Sequence, residues 1–306
     1  MEYVLKTNAL CKQYKNFKAL NGLTMNVPKG SIYGFIGRNG AGKTTLIRII
    51  CGLQFATQGG FELYGQSGEN INEARRRVGA VVETPSIFPE MTAEENLKHQ
   101  FRIIGVPRFE KVKDLLELVG LSDTGKKKAK DFSLGMRQRL GIAIALCGDP
   151  DFLILDEPIN GLDPQGIIEV RELILKLNRE RNITVLISSH ILDELSKLAT
   201  HYGFIDKGTL VREMSAQELN DACRKCVTLN VSDTGAAAKA LEKLGYAADM
   251  TYKIYNDGRI DVFAQPNITQ LVHALDEEDC ELITVKEHDE TLEGFFISLV
   301  GGDSHD

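Results

Sequence analysis

A glycine-rich segment at residues 37–44 has the residue types and spacing of a phosphate site. It reads Gly-Arg-Asn-Gly-Ala-Gly-Lys-Thr and matches the pattern GxxxxGK[ST]. The glycines let successive backbone N–H groups surround phosphate oxygens, while Lys43 can reach the β- and γ-phosphates and Thr44 can ligate Mg²⁺. A chance glycine turn before a helix is the alternative. The residues predicted to bind a nucleoside triphosphate are Gly37, Asn39, Gly40, Ala41, Gly42, Lys43, Thr44 and Thr45.

Two carboxylates, Asp156 and Glu157, follow the apolar segment 152–155. Ligands of an open α/β sheet bind at the carboxyl ends of its strands. Asp156 can therefore hold Mg²⁺, and Glu157 can polarise a water molecule beside the γ-phosphate. A solvated acidic loop is the alternative. Together with the glycine-rich segment, this pair predicts hydrolysis of the nucleotide.

The surrounding sequence predicts the elements that must position these residues. Strands are expected at 3–7, 23–27, 31–36, 152–155 and 184–188, with helices at 43–53 and from Asp163 onward. From about 88 to 148 the pattern is helical, and Thr92 with Glu95 forms a plausible capping box at its start. The prediction is an α/β P-loop nucleoside triphosphatase with an antiparallel β portion and a helical insertion.

A second domain is predicted after about residue 214. The order strand, helix, strand, strand, helix, strand is typical of a small α+β ferredoxin-like domain, and a last helix is expected at 291–300. Residues 215–306 carry a net charge of −11, whereas residues 1–214 carry +4. We therefore predict a nucleotide-binding domain at 1–214 and an acidic accessory domain at 222–306.

Composition excludes several other classes of protein. With 43% hydrophobic and 26% charged residues, the chain can bury a core and is not a disordered protein. A net charge of −7 gives no general electrostatic footprint for nucleic acid. Six dispersed cysteines and the absence of an apolar run of about 18 residues predict a protein of the reducing cytoplasm.

The segment Phe132-Ser133-Leu134-Gly135-Met136 completes a set of motifs in a recognisable order. With these motifs, residues 1–214 resemble the ATP-binding subunit of ATP-binding cassette (ABC) transporters, in which this segment stands at the LSGGQ signature position. It departs from that signature at three of five places. The resemblance implies that Ser133 and Gly135 contact the γ-phosphate bound by an opposite subunit. Helix capping by Ser133 is the alternative.

Three further residues receive roles from this resemblance. His190 stands where the family has its switch histidine beside the γ-phosphate, although a histidine after a strand is often structural. Asp163 lies in the segment that links the two active sites of the family's dimer, and it can also cap the following helix. Tyr14 has the position of the aromatic residue that stacks on adenine, with an exposed strand tyrosine as the alternative.

Glu83 is the informative departure from the family pattern. It follows Val81 and Val82, where the family usually has a glutamine that touches the metal and the attacking water. The resemblance therefore makes Glu83 a catalytic candidate together with Glu157 and His190, and a metal ligand together with Thr44 and Asp156. With this glutamate, the segment 132–136 and the sequence 89–97, the chain resembles the bacitracin-resistance and lantibiotic-immunity branch of bacterial exporters. A neutral variant in another exporter is the alternative.

The resemblance also implies partners and a location. Two copies of the chain would bind ATP and Mg²⁺ between them and drive a separate transmembrane permease from the inner face of the cell membrane. No nucleic-acid partner is expected. An exporter of another cargo, a soluble ABC ATPase that acts on ribosomes or DNA, and a binding module that uses ATP only as a dimer switch stay open as alternatives.

Overall fold

The computed structural model describes residues 2–223, 226–248, 250–255, 257–263, 266–288 and 292–301. The chain forms two compact units, Met1–Ala216 and Gln217–Asp306. Among the described residues no helix is both long and apolar enough to cross a membrane. The functional domains assigned from the sequence, 1–214 and 222–306, stay predictions.

The first unit combines strands with helices. Its strands are β1 (Tyr3–Tyr14), β2 (Phe17–Leu23), β3 (Asn26–Pro28), β4 (Ile32–Ile36), β5 (Gln58–Leu63), β6 (Val78–Val81), β7 (Phe152–Asp156), β8 (Thr184–Ser189), β9 (His201–Asp206) and β10 (Thr209–Ser215). Its helices are α1 (Lys43–Ile50), α2 (Ile71–Arg75), α3 (Ala93–Ile103), α4 (Lys111–Leu118), α5 (Leu134–Leu146), α6 (Pro164–Arg181) and α7 (Leu192–Ser196), and α8 (Ala216–Ala222) begins at the end of this unit.

A six-stranded sheet forms the centre of the first unit. Its strand order is β10-β9-β4-β8-β7-β6, and all neighbours run parallel except β9 and β10. Every residue of β4, β7 and β8 is buried, as expected for parallel strands covered on both faces. The carboxyl ends of β4, β6, β7 and β8 therefore meet at one edge, which fixes the position of the site.

In the antiparallel portion, the prediction of a single strand at 23–27 is wrong, because this segment is divided between two strands. Leu23 ends β2, and β3 begins at Asn26. The cause is a bend in β1, where Ala9 has a φ of +44°. The first half of β1 pairs with β3 and the second half with β2, so the returning chain must change partners between these two strands.

The predicted helical insertion contains α3, α4 and α5. Its capping box is confirmed, since the Thr92 N–H donates to Glu95 Oε2 at 2.7 Å and the Glu95 N–H donates to Thr92 Oγ1 at 3.2 Å. The hydrogen bond from the Thr92 N–H, followed by the one from Lys128, lowers the pKa of the exposed Glu95 carboxyl. Asn96 is buried beside the box and accepts a 2.7 Å hydrogen bond from the Phe88 N–H. The first turn of the insertion is thus fixed by local side chains.

The second unit has the predicted ferredoxin-like order. Its elements are β11 (Cys226–Val231), α9 (Thr234–Lys243), β12 (Tyr252–Ile254), β13 (Arg259–Val262), α10 (Ile268–Asp276), β14 (Leu282–His288) and α11 (Leu292–Gly301). The sheet is antiparallel with the order β12-β13-β11-β14. Its apolar core includes Leu229, Leu241 and Ile260. The predicted start of the last helix, at Thr291, lies outside the described residues.

Candidate functional site

The glycine-rich loop connects the buried strand β4 to α1. Its first N–H, from Gly37, donates to the Ser189 carbonyl oxygen at 3.2 Å, which ties the loop to the end of β8. A Cβ atom on Gly37 would lie 2.5 Å from the carbonyl oxygen of Ile205. Gly42 has a φ of +112°, and a Cβ there would lie 2.5 Å from the carbonyl oxygen of Ala19. Glycine is therefore required at both ends of the loop.

Lys43 is held tightly at the base of this loop. Its side chain is only 6% exposed, and its Nζ donates to the carbonyl oxygen of Gly37 at 2.6 Å. The same Nζ lies 3.1 Å from Glu157 Oε1. Thr44 and Thr45 follow on the first turn of α1 and are half-buried. The amino group thus lies between the loop that would hold the phosphates and one of the predicted catalytic carboxylates.

Asp156 ends β7 with one oxygen bonded and one unused. Ser188 Oγ donates to Asp156 Oδ1 at 2.5 Å. Asp156 Oδ2 is buried and accepts no hydrogen bond from the described part of the chain. A buried carboxylate oxygen without a partner is costly unless a ligand such as a hydrated cation satisfies it. The Asp156 oxygen therefore has the chemistry of a Mg²⁺ ligand. Thr44, at the start of α1, stays a predicted ligand.

Glu157 connects Lys43 with His190. Its Oε2 lies 2.9 Å from His190 Nδ1, and its backbone N–H donates to Ser188 at 3.2 Å (carbonyl oxygen) and 3.0 Å (Oγ). The φ of Glu157 is +49°, a strained value for a residue with a side chain. Ser188 therefore holds the Asp156 carboxylate and the Glu157 backbone, while Lys43 and His190 contact the Glu157 carboxylate.

Glu83 has a different partner. It lies just beyond β6 with a φ of +60°, and its Oε1 is 2.5 Å from Arg48 Nη2 on α1. Its side chain is 53% exposed. Its charge partner among the described residues is Arg48, and the structure does not bring its carboxylate into contact with Asp156 or Lys43. The predicted metal ligands Thr44, Glu83 and Asp156 therefore do not form a cluster by themselves.

The signature segment forms the start of α5. Ser133 is exposed and caps the helix, because its Oγ accepts a 3.2 Å hydrogen bond from the Met136 N–H. Gly135 is buried, and a Cβ there would lie 3.6 Å from Gly166 Cα. The capping interpretation of Ser133 is therefore confirmed. Its contact with a γ-phosphate stays a prediction.

Asp163 caps the next helix of this region. Its Oδ1 accepts a 3.2 Å hydrogen bond from the Gly166 N–H, and Pro164 follows as the first residue of α6. Asp163 itself is exposed. The capping role expected from the sequence is confirmed, and a role across a dimer stays a prediction. The buried faces of Gly135 and Gly166 place the starts of α5 and α6 together.

Tyr14 lies at the end of the β1–β2 hairpin. It is 40% exposed, and its hydroxyl donates to Gln54 Oε1 at 2.5 Å. The Lys12 ammonium lies 5.1 Å from the centroid of its ring. The same hairpin contains Ala19, whose carbonyl oxygen packs against Gly42. Tyr14 therefore lies on the strand pair that contacts the glycine-rich loop, and its place on adenine stays a prediction.

Two residues of this site are not predicted by the sequence analysis. Ser188 supports Asp156 and Glu157, and Arg48 pairs with Glu83. The sequence contained one usable signal for Ser188, since a serine at the end of a buried strand beside an acidic strand end is suited to such a contact. Arg48 gave no signal, because basic residues in the last turn of a helix are common.

Comparisons with known proteins agree with this geometry. The family model described as "ABC transporter" matches residues 20–160. The bacitracin transport ATP-binding protein BcrA of Bacillus licheniformis is 42% identical over 304 residues, which are 99% of each chain. The lantibiotic transport ATP-binding protein SrtF of Streptococcus pyogenes is 43% identical over 210 residues, covering 69% of this chain and 90% of SrtF.

A solved structure is similar in fold. The dimeric bacterial ABC transporter cassette MJ0796 superposes with a TM-score of 0.62 at 25% identity, covering 69% of this chain and 98% of that cassette. The sequence identity to full-length relatives far exceeds what a shared fold alone requires. The chain therefore belongs to the ATP-binding proteins of the ABC transporter family, and it is an ATPase whose activity is coupled to transport.

Proposed function

We propose that this chain is the ATP-hydrolysing subunit of an exporter of bacitracin, lantibiotics or similar amphiphilic peptides. The observation that carries the cargo assignment is the extent of the match to the bacitracin protein, which covers 99% of the chain and so includes the acidic second unit. The match to the lantibiotic protein covers 69% of the chain. Glutamate at position 83 supports the same branch of exporters. The export itself would protect the cell.

ATP binding would begin by changing the partner of Lys43. The triphosphate would lie in the loop formed by Gly37–Gly42, where backbone N–H groups and the start of α1 favour negative charge. Lys43 would then exchange Glu157, now 3.1 Å away, for the β- and γ-phosphates. The loss of this cation would leave the Glu157 carboxylate available to accept a proton.

Thr44 and Asp156 would hold Mg²⁺. The unused, buried Asp156 Oδ2 supports this assignment, while Asp156 Oδ1 is already occupied by Ser188. Bound Mg²⁺ would neutralise negative charge on the phosphate oxygens. Glu83, which we predicted as a third ligand, would first have to leave Arg48, so we propose that it contributes to coupling rather than to the resting metal site.

Glu157 would act as the general base of hydrolysis. His190 Nδ1, 2.9 Å from Glu157 Oε2, would fix the orientation of the carboxylate. Ser188 fixes the backbone of Glu157 from the other side. A water molecule held between Glu157 and the γ-phosphate would lose a proton to Glu157 as its oxygen attacks the γ-phosphorus. The bond from this phosphorus to the β–γ bridging oxygen would break, and ADP would leave.

Two copies of the chain would close around two ATP molecules. The dimeric state of the similar cassette MJ0796 supports this arrangement. The partner subunit's Ser133 and Gly135 would meet the γ-phosphate, and exposed Asp163 would link the two sites. Tyr14 would stack on the adenine ring. We place the dimer at the cytoplasmic face of the cell membrane, bound to a separately encoded permease that receives the closing motion.

Drug susceptibility tests this function. The chain would be expressed with its native membrane partner in a sensitive bacterium, next to Glu157→Gln at equal abundance, and challenged with bacitracin and a panel of lantibiotics. Protection by the unaltered chain but not by Glu157→Gln is expected. Equal susceptibility of both strains, with the permease confirmed in the membrane, would contradict the peptide-antibiotic assignment and leave an exporter of another cargo.

A soluble ABC ATPase without a transport role predicts a different result. Such a protein would fractionate away from membranes and would pull down ribosomes or DNA. We expect co-purification with a membrane protein instead. A module that uses ATP only as a dimer switch would turn over slowly, whereas the contacts of Glu157 with His190 favour steady hydrolysis.

A further inference from the structure

Two glutamates of the first unit follow neighbouring strands at equivalent positions. Strands β6 and β7 pair in parallel with Val81 opposite Leu155, so Glu83 and Glu157 each lie two residues beyond a paired position. Both have a left-handed backbone, with φ values of +60° and +49°. The two acidic side chains therefore leave the same edge of the sheet, beside the phosphate loop.

Helix α1 supplies a different cation to each of them. Lys43, its first residue, contacts Glu157 at 3.1 Å, and Arg48, five residues later, contacts Glu83 at 2.5 Å. Five residues on an α-helix rotate a side chain by about 140° relative to the first. The two cations consequently draw the two carboxylates in different directions.

The segment that carries Glu83 is also held from its other side. Gly141 of α5 has no side chain at the point where α5 meets Pro85, and a Cβ there would lie 2.5 Å from Pro85 Cβ. The chain just after Glu83 therefore contacts the helix that begins with the signature segment. The Arg48–Glu83 ion pair connects this segment to α1, the helix that follows the glycine-rich loop.

We propose that Arg48 is a positioning residue that holds Glu83 away from the triphosphate, so that Glu157 is the carboxylate that faces Lys43. The proposal rests on the ATP-binding part of the proposed function. The Arg48–Glu83 pair is too exposed, at 35% and 53%, to contribute much to folding. Its effect is instead on the direction in which Glu83 presents its negative charge.

Loss of the Arg48 cation has a specific consequence. A Glu83 carboxylate that is released from Arg48 would be free to approach the phosphate site and would repel ATP. Replacement of Glu83 by an amide would remove that charge, so Arg48 would then matter little. The two substitutions are therefore expected to be non-additive.

Calorimetric titration of the full-length chain with ATP in EDTA tests this proposal without metal or turnover. Arg48→Gln is expected to weaken ATP binding about fivefold when Glu83 is present, but less than about twofold in the Glu83→Gln background. Arg48→Lys should restore part of the affinity. Lys98→Gln is the matched control, because it breaks the ion pair between Lys98 and Glu94. The Lys98 and Glu94 side chains are 38% and 55% exposed, close to the values for Arg48 and Glu83. Thermal unfolding of each variant verifies its folding.

Three outcomes would overturn the proposal. An equal loss of affinity in both backgrounds would mean that Arg48 attracts the phosphates directly. No loss in either background would mean that the pair does not affect the site. A failure of the unaltered chain to bind ATP would instead refute the proposed function and this inference together, and it is recognised before any variant is compared.

Discussion

Each unit of the molecule buries an aspartate, and the two differ in what their oxygens contact. Asp156, 1% exposed, ends the parallel strand β7, and its Oδ2 has no hydrogen-bond partner among the described residues. Asp261, 9% exposed, lies inside the antiparallel strand β13, where Thr228 Oγ1 donates to its Oδ1 at 2.6 Å. Tyr255 is also a neighbour, and burial together with the Asp261 charge raises the pKa of this tyrosine.

This difference supports the proposal that Asp156 belongs to a ligand site, whereas Asp261 makes a structural contact. Parallel strands end together at one edge, so a carboxylate there keeps an oxygen that the ladder cannot satisfy. A carboxylate in the middle of an antiparallel sheet faces polar side chains on the neighbouring strands and can be satisfied internally. A buried acid therefore indicates a ligand site only where one of its carboxylate oxygens lacks a hydrogen-bond partner.

The largest expected effect on ATP hydrolysis comes from neutralising Glu157, the neighbour of Asp156, in comparison with neutralising Asp261. Glu157→Gln is expected to lower kcat for ATP by about a hundredfold or more, because the proposed general base is lost. Asp261→Asn should leave kcat within about twofold, because its Oδ1 already accepts a hydrogen bond from Thr228 on the neighbouring strand. Steady-state phosphate release measures both.

Glu83→Gln is a third variant, whose ATP hydrolysis is compared with that of Glu157→Gln. Hydrolysis should stay substantial, since Glu157 is still present, while transport becomes less tightly coupled to ATP use. A loss of hydrolysis as complete as that of Glu157→Gln would refute the division of roles between the two glutamates.

The next test concerns the unused oxygen itself. Asp156→Asn is expected to lower ATP hydrolysis at fixed Mg²⁺ by about a hundredfold. A higher Mg²⁺ concentration should recover part of the activity, since one ligand has been weakened. Titration of activity with Mg²⁺ measures the shift, and an unchanged Mg²⁺ requirement would contradict the assignment of Asp156 as a metal ligand.

A smaller effect is expected at the hydroxyl that supports the site. Ser188→Ala removes the donor to Asp156 Oδ1 and the acceptor of the Glu157 N–H, so the Asp156 carboxylate and the Glu157 backbone each lose a positioning contact. We expect kcat to fall about tenfold. The kcat for ATP hydrolysis is measured at saturating Mg²⁺ and ATP. An unchanged kcat would show that β7 alone fixes the two acids.

The smallest functional effect is expected at the corresponding hydroxyl of the second unit. Thr228→Val leaves the buried Asp261 Oδ1 without its donor and should destabilise that unit by about 1–3 kcal/mol. ATP hydrolysis should change less than about twofold. Differential scanning calorimetry with a parallel ATPase assay separates the two effects, and a large loss of activity would break the contrast between the two aspartates.

Patterns local in the chain were predictable from the sequence. The glycine-rich loop, the capping box of Thr92 and Glu95 and the cap of α6 by Asp163 depend on residues within a few positions of one another, and the structure has all three. The strand boundary at 23–27 was wrong because the bend of β1 at Ala9, which decides it, lies in another strand.

The sequence by itself determined the family, the phosphate loop and the acids at the strand ends, because these depend on short motifs whose chemistry needs fixed residue types. Only the tertiary structure decided which side chain contacts which acid. Ser188 and Asp156 are 32 residues apart, and Arg48 and Glu83 are 35 apart. Such pairs exist because parallel strands and a crossing helix meet at one edge of a sheet, and strand register and helix rotation fix that meeting.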